Sequence, residues 1–294
     1  MTPHEYCESL ARAHYENFPV ASRLLPAAMR PHVAAVYAFA RIADDVADEG
    51  SAPPGERLAA LEAWEQRVIA VTSGQHDPGG AHPQVLEAIR ETVQACDLPV
   101  PLLTDLVSAF KQDVVVVRYA TWASLLDYCG RSANPVGRLV LRIAGYRDPI
   151  LDRASDDVCT ALQLANFWQD LAVDWRKGRV YVPSDISTPA GAREDDLAAG
   201  RMTPEWREAL EECSRRTRAL FRSGRAVCDG VRGRLMWELR ATWLGGSRIL
   251  DKLERVQYDV FRRRPSLGFA DAVPIAWDAL LWRRAAAPAR AAAN

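Results

Sequence analysis

Apolar residues recur at i, i+3 and i+4 through 30–49, 54–73, 83–95, 101–113, 121–145, 151–177, 203–230, 232–256 and 270–284. That is the period of an amphipathic helix. Proline, glycine and short polar clusters punctuate the pattern at 51–54, 73–83, 178–193 and 264–268, breaks too short and too varied to be interdomain linkers. The one strand-like run, Val114–Val117, has no alternating partner with which to pair. The pattern predicts an all-α protein with a single domain over residues 1–284, followed by an alanine-rich tail, 285–294, that reads as disordered.

Composition sharpens this. With 49% hydrophobic and 26% charged positions in 294 residues, disordered and collagen-like chains are excluded. The longest uninterrupted apolar run, Val33–Ala40, is far below the roughly 18 residues of a membrane-spanning helix. The opening Met1-Thr2-Pro3-His4-Glu5 lacks the basic and apolar regions of a secretory signal, so a cytoplasmic protein is expected. Six cysteines without a CxxC pair argue against a zinc site or a disulfide framework and read as reduced, mostly buried thiols.

The net charge of −1 hides an asymmetry, because residues 201–294 carry 19 basic and 11 acidic groups. Such a region can face a diphosphate or an anionic lipid surface, which makes peripheral membrane contact through 201–264 an expectation to test. Nucleic acid is not expected as a partner, since no recognised module or aromatic-basic interleaving is present.

Two segments carry an unusual polar load. Tyr37, Arg41, Asp44 and Asp48 advance by four, three and four residues and share an arc of roughly 60° on a helix, with Asp45 beside it. Stacked carboxylates repel, so a helix otherwise built of Val, Ala and Phe needs a compensating cation there. Gln163, Asn166, Asp170 and Asp174 repeat the logic within an arc of roughly 80°. Oxygen ligands without His or Cys select a hard cation, and Mg²⁺ is commonly held by one or two carboxylates while substrate phosphates complete its shell. A Mg²⁺-diphosphate site between two helices is the expectation, with Mn²⁺ as a substitute. Its ligands would be Asp44, Asp48, Asn166, Asp170 and Asp174, with Asp45 and Gln163 beside them.

These residues resemble a known family. Asp44-Asp45-Val46-Ala47-Asp48 after Tyr37 and Arg41, then Gln163-Leu164-Ala165-Asn166-Phe167-Trp168-Gln169-Asp170 and Asp174, are similar to the two motifs of the squalene/phytoene synthases. The resemblance runs from about His14 to Arg264 and implies an all-α isoprenoid synthase fold with a central apolar cavity and acidic clusters at its mouth. Within the family, three stretches resemble the hydroxysqualene synthases of bacterial hopanoid pathways: 14–22, 128–137 and Lys177-Gly178-Arg179-Val180-Tyr181-Val182-Pro183. Tyr258-Asp259-Val260-Phe261 with Arg263-Arg264-Pro265 completes the pattern.

That resemblance implies Mg²⁺-dependent conversion of presqualene diphosphate and water to hydroxysqualene and diphosphate. No NADPH is expected, and functional coupling to a presqualene diphosphate synthase and a hydroxysqualene reductase is implied. Arg41, Lys177 and Arg179 would contact phosphate oxygens, and Tyr37 and Tyr128 would face the carbocation. His14, Asn17, Phe18, Ser22 and Tyr258 stand where the family binds substrate. Asn134, before a proline that favours a helix break, would hold the attacking water. Gln169 stands where condensing relatives usually carry Arg, and loss of that cation would suit an enzyme taking one diphosphate rather than two. The nine tryptophans, Trp168, Trp175, Trp243 and Trp277 among them, read mostly as core.

Four other functions remain open from the residues. Two farnesyl diphosphates could be condensed on the same fold, reduction to squalene with a nicotinamide is disfavoured by the lack of a Gly-rich dinucleotide fingerprint, a helical nucleotide pyrophosphohydrolase would also place acids on two helices, and an inactive helical subunit would keep the fold without the chemistry.

Overall fold

The computed structural model describes residues 1–13 and 24–282. The tail 285–294, and with it His14, Asn17, Phe18 and Ser22, lies outside the described residues. The chain forms α1 (Pro3–Ala13), α2 (Arg30–Asp48), α3 (Pro54–Thr72), α4 (Pro83–Cys96), α5 (Pro101–Val115), α6 (Trp122–Ser132), α7 (Asn134–Ile143) and α8 (Pro149–Arg176). There follow α9 (Ser184–Ser187), α10 (Glu194–Ala198), α11 (Pro204–Gly224), α12 (Ala226–Gly230), α13 (Gly233–Arg255) and α14 (Phe269–Leu280).

Helix starts follow local chemistry. Proline occupies the first turn of α2, α3, α4, α5, α7, α8 and α11, where its missing N–H costs nothing and its fixed φ suits the helix. Asp148 and Thr203 cap α8 and α11 with side-chain oxygens, and Thr121 with Ser124 closes a reciprocal cap on α6. The 121–145 segment is two helices rather than one, broken at Ala133 just ahead of Asn134-Pro135, as the proline predicts.

α8 is the axis of the second half, packed by α7, α11, α12 and α13. Its neighbours come close because their contact residues are small. A Cβ on Gly224 of α11 would sit 2.7 Å from the Ala154 carbonyl oxygen, and one on Gly246 of α13 would sit 2.5 Å from Leu162. α2 is the corresponding axis of the first half, wrapped by α1, α3, α4 and α5. One apolar core joins both halves, from Phe39 and Leu103 to Trp168, Trp206 and Leu250.

The structure adds detail to the expectations. Val114 and Val115 finish α5, in keeping with the all-α reading. The chain beyond them does pair once, in an isolated parallel bridge between Arg118 and Val180. Helix α1 was not anticipated, and neither were the short turns α9 and α10 within the 178–193 break and just after it. Of the highlighted tryptophans, Trp168 is fully buried, but Trp277 is exposed. The cysteines are all free thiols, with Cys7, Cys129, Cys213 and Cys228 buried. Burial pushes the Cys7 thiol up to about 12. Among the described residues no helix is long and apolar enough to cross a membrane.

Candidate active site

α2 and the C-terminal half of α8 present their acidic stripes to a common space. The link is direct: Arg179, just past α8, donates to Asp48 Oδ1 of α2 at 2.6 Å, and Lys177 Nζ lies 3.4 Å from Asp48 Oδ2. Burial works against the Asp48 charge, but the Arg179 hydrogen bond and charge outweigh it and hold its pKa below the ordinary value. On α2 itself, Arg41 reaches Asp45 at 2.6 Å, Glu49 at 3.0 Å and Asp44 at 3.4 Å. Tyr37 lies one turn before Arg41, packed against the core.

The remaining carboxylates are poorly neutralised. Desolvation, then Asp48 one turn further along α2, lifts Asp44 to about 6. Desolvation, then Asp170, lifts Asp174 to about 7, and Asp48 across the gap adds to the push. Asp174 makes no ion pair among the described residues. Asp170 is held instead by Arg264, whose Nη2 donates to Oδ2 at 3.0 Å while Nε donates to Oδ1.

Beneath the acids lies an aromatic floor. Tyr181 stacks on Phe167 at a ring separation of 3.7 Å, and Tyr128 and Tyr119 pack beside Tyr181. The Tyr128 hydroxyl donates to Asp113 Oδ2 at 2.7 Å. Asp113, a buried acid at the end of α5, is raised to about 7 by desolvation despite that bond. Its Oδ1 has no hydrogen-bond partner, while its backbone carbonyl accepts from Arg179.

The donor set suits a hard cation. Every side chain on these stripes that could coordinate offers oxygen, and Asp44 and Asp174 carry charge that the protein leaves largely uncompensated. Among the described residues no three His, Cys, Asp or Glu side chains converge into a closed cage. A cation here would therefore take only part of its shell from the protein.

Asp44, Asp45, Asp48, Arg41, Asp170, Asp174, Lys177 and Arg179 thus come together as the spacing predicts. Asn166 and Gln163 stand on the same face of α8, the first exposed and the second half-buried. Three residues are placed differently. Gln169 is buried and donates from Nε2 to the Pro265 carbonyl at 2.5 Å. It lies about 100° around the helix from Asp170, and in the structure it tethers the 265 loop. The Asn134 amide oxygen accepts from the Thr160 hydroxyl at 2.8 Å, which ties the side chain to α8. Tyr258 sits buried in the turn after α13 with φ +59°. The charges around it are Glu254, Glu211 and Arg218, remote from the acidic stripes.

Two site residues escaped the sequence reading. Asp113 is a lone acid in an apolar run, visible only as a charge on the buried face of α5. Arg264 is one of three consecutive arginines, and nothing in the run singles it out until Gln169 pins the following residue.

Known proteins resemble this chain over most of its length. The squalene/phytoene synthase family model matches residues 11–271. The hydroxysqualene synthase of Zymomonas mobilis is 39% identical over 210 residues, 70% of this chain and 68% of that protein. A phytoene synthase of Thermus thermophilus is 34% identical over 258 residues, 87% of this chain and 85% of that one. The crystal structure of the squalene synthase HpnC of Alicyclobacillus acidocaldarius superposes with a TM-score of 0.80 at 39% identity, covering 87% of this chain and 94% of that chain. The all-α isoprenoid synthase fold expected from the motifs is the fold observed. With both acidic helices inside the matched span, the chain belongs to the squalene/phytoene synthase family of prenyl diphosphate-utilising synthases.

Proposed function

We propose that this protein converts presqualene diphosphate and water to hydroxysqualene and diphosphate, with Mg²⁺ held between α2 and α8. The observation that carries the reading is the two under-neutralised carboxylates, Asp44 on α2 and Asp174 on α8, both within the field of Lys177, with Arg179 and Arg264 held on the neighbouring Asp48 and Asp170. Asp44, Asp48, Asp170 and Asp174, with Asn166, would hold the metal. Bound there, Mg²⁺ supplies Lewis-acid stabilisation of the charge that builds on the departing diphosphate.

The protein's own groups do the rest. Lys177 and Arg179 are already anchored on Asp48, so their donors are oriented before substrate arrives and need little reorganisation. Arg264 is a third donor, poised on Asp170. The ring faces of Tyr128, Tyr181 and Phe167 line an apolar floor suited to a prenyl chain and to a cation formed on it. The pair of Asp113 and Tyr128 offers a polar point within that floor able to order one water. The hydroxysqualene synthase relatives favour this reaction. The reading uses no nicotinamide and places the protein beside a presqualene diphosphate synthase and a hydroxysqualene reductase.

Condensation of two farnesyl diphosphates is the second reading. It is favoured by the phytoene synthase relative and by Gln169, whose tether to Pro265 removes it from the argument against a second diphosphate. The test is incubation with Mg²⁺ and either presqualene diphosphate or farnesyl diphosphate, without nicotinamide, followed by mass analysis of the lipid. Hydroxysqualene from presqualene diphosphate is the expected result. Presqualene diphosphate from farnesyl diphosphate would move the function to condensation, and no product from either would sink both readings.

A further inference from the structure

We infer that α14 is a membrane-surface helix that seats the protein on an anionic bilayer. Phe269, Val273, Trp277 and Leu280 are exposed, Phe269 at 99% and Trp277 at 60%. Their spacing of four, four and three places them within an arc of roughly 80°. Four large apolar side chains on one uncovered helical stripe are costly in water and form the face of an interfacial helix.

The two acids of α14 lie on the other side and are neutralised from within. Asp271 is bonded to Lys252 at 2.6 Å and to the Gly268 N–H, and Asp278 is paired with Arg248 at 3.1 Å. The wet stripe therefore offers an anionic surface no unpaired negative charge. Arg263 is exposed on the approach beside Arg262, itself exposed though paired with Asp259 at 3.3 Å, and in the sequence Arg283-Arg284 follow the helix, with Arg290 beyond and no acid over 283–294.

The charge on either side of the helix in the sequence selects the occupant. A second copy would bring a like-charged surface to the stripe, whereas a sheet of anionic headgroups complements it. Many of the arginines earlier in the basic region, by contrast, are engaged in internal pairs, such as Arg218 with Asp251 and Glu254 and Arg215 with Glu212, which moves the membrane contact from that region to α14 and its approach. The loop that leads into α14 also carries Arg264 to Asp170, so adsorption would bring the acidic mouth close to the bilayer; adsorption itself does not depend on the chemistry at that mouth.

The experiment is flotation of the full chain with phosphatidylcholine vesicles, with and without phosphatidylglycerol. Binding to the anionic vesicles is expected, weakening with salt. Phe269→Ser with Trp277→Ser should lower partitioning at least about tenfold, and Arg262→Gln with Arg263→Gln roughly fivefold for each arginine. All four side chains are exposed, so thermal melts should match the unmodified chain. Independently, brominated acyl chains should quench part of the tryptophan emission, and Trp277→Phe should remove that part. No flotation of the unmodified chain, or undiminished flotation of the serine variant, overturns the proposal. So does a concentration-dependent dimer that forms without lipid and is lost in the serine variant, which would assign the stripe to a second copy.

Discussion

The two acidic helices carry similar sequences and solve the same electrostatic problem differently. α2 brings its own counter-ion, since Arg41 spans Asp44, Asp45 and Glu49, and it borrows Arg179 and Lys177 for Asp48. α8 has no such partner on its acidic face. Asp170 is met by an arginine from the loop before α14, and Asp174 is met by none among the described residues. Asp45 and Asp48 are thus compensated by the fold, whereas Asp44 on α2 and, still more, Asp174 on α8 are held at a cost that a bound cation would relieve. A cation should therefore add to stability through those two carboxylates, most of all through Asp174.

The largest expected effect separates chemistry from folding. Asp174→Asn and Asp44→Asn should each lower diphosphate release from a prenyl diphosphate by about 10²- to 10³-fold, the scale seen when a charge-stabilising group is lost. Helical circular dichroism should be unchanged, because neither carboxylate holds the core. Equal rates in both variants and the unmodified chain would place the chemistry elsewhere.

Next is a pH dependence whose sign differs from one acid to another. Asp44, Asp113 and Asp174 titrate near 6, 7 and 7 in the folded protein, against an ordinary 3.8. The folded state therefore binds more protons than the unfolded one across that window. Stability without metal should fall as pH rises from about 4 to about 7 and level off above it. Asp48, shifted downward, contributes the opposite slope at lower pH, losing stability as acid protonates it. Melting temperatures from pH 4 to pH 8 without metal test this, and Asp174→Asn should flatten the upper part of the decline and raise stability at pH 8. A curve that rises through pH 7 would contradict the assignment.

Gln169→Leu removes the tether to the Pro265 carbonyl and leaves a buried acceptor unpaired, a loss of about 1–3 kcal/mol. Chemical denaturation measures it, and a change below about 0.5 kcal/mol would mean that the loop is held by other groups, such as Lys252 on the Ser266 carbonyl. Arg264→Ala should matter least for stability, at about 0–1 kcal/mol for a half-exposed pair. It should raise Mg²⁺ affinity in the absence of diphosphate, because Asp170 is then free. Unchanged or weaker affinity by calorimetry would remove the competition between Arg264 and the metal.

What could be read from the sequence divides along the same line. Regular helices repeat every 3.6 residues, so α2 and α8, and the alignment of Asp44 with Asp48 and of Asp170 with Asp174, follow from spacing alone. What escaped depends on parts of the chain meeting in space. Arg264 reaches Asp170 only because Gln169, one residue off the acidic face, captures the Pro265 carbonyl. Asp113 joins the site through α5 and Tyr128, and its one-residue signal is lost among valines. α1 is short and polar enough to hide its period, although Cys7 and Ala11 are buried on α2 and α4. Tyr258 and Asn134 were placed by local runs, and local runs do not say which wall a side chain faces.

The most direct measurement is diphosphate release from presqualene diphosphate by chelator-treated protein, before and after Mg²⁺ is restored, for the unmodified chain and for Asp174→Asn. The account predicts no release without metal, recovery on adding Mg²⁺ to the unmodified chain, and little recovery in the variant. Full release in the presence of chelator, or full recovery in Asp174→Asn, would contradict a metal-diphosphate site between α2 and α8.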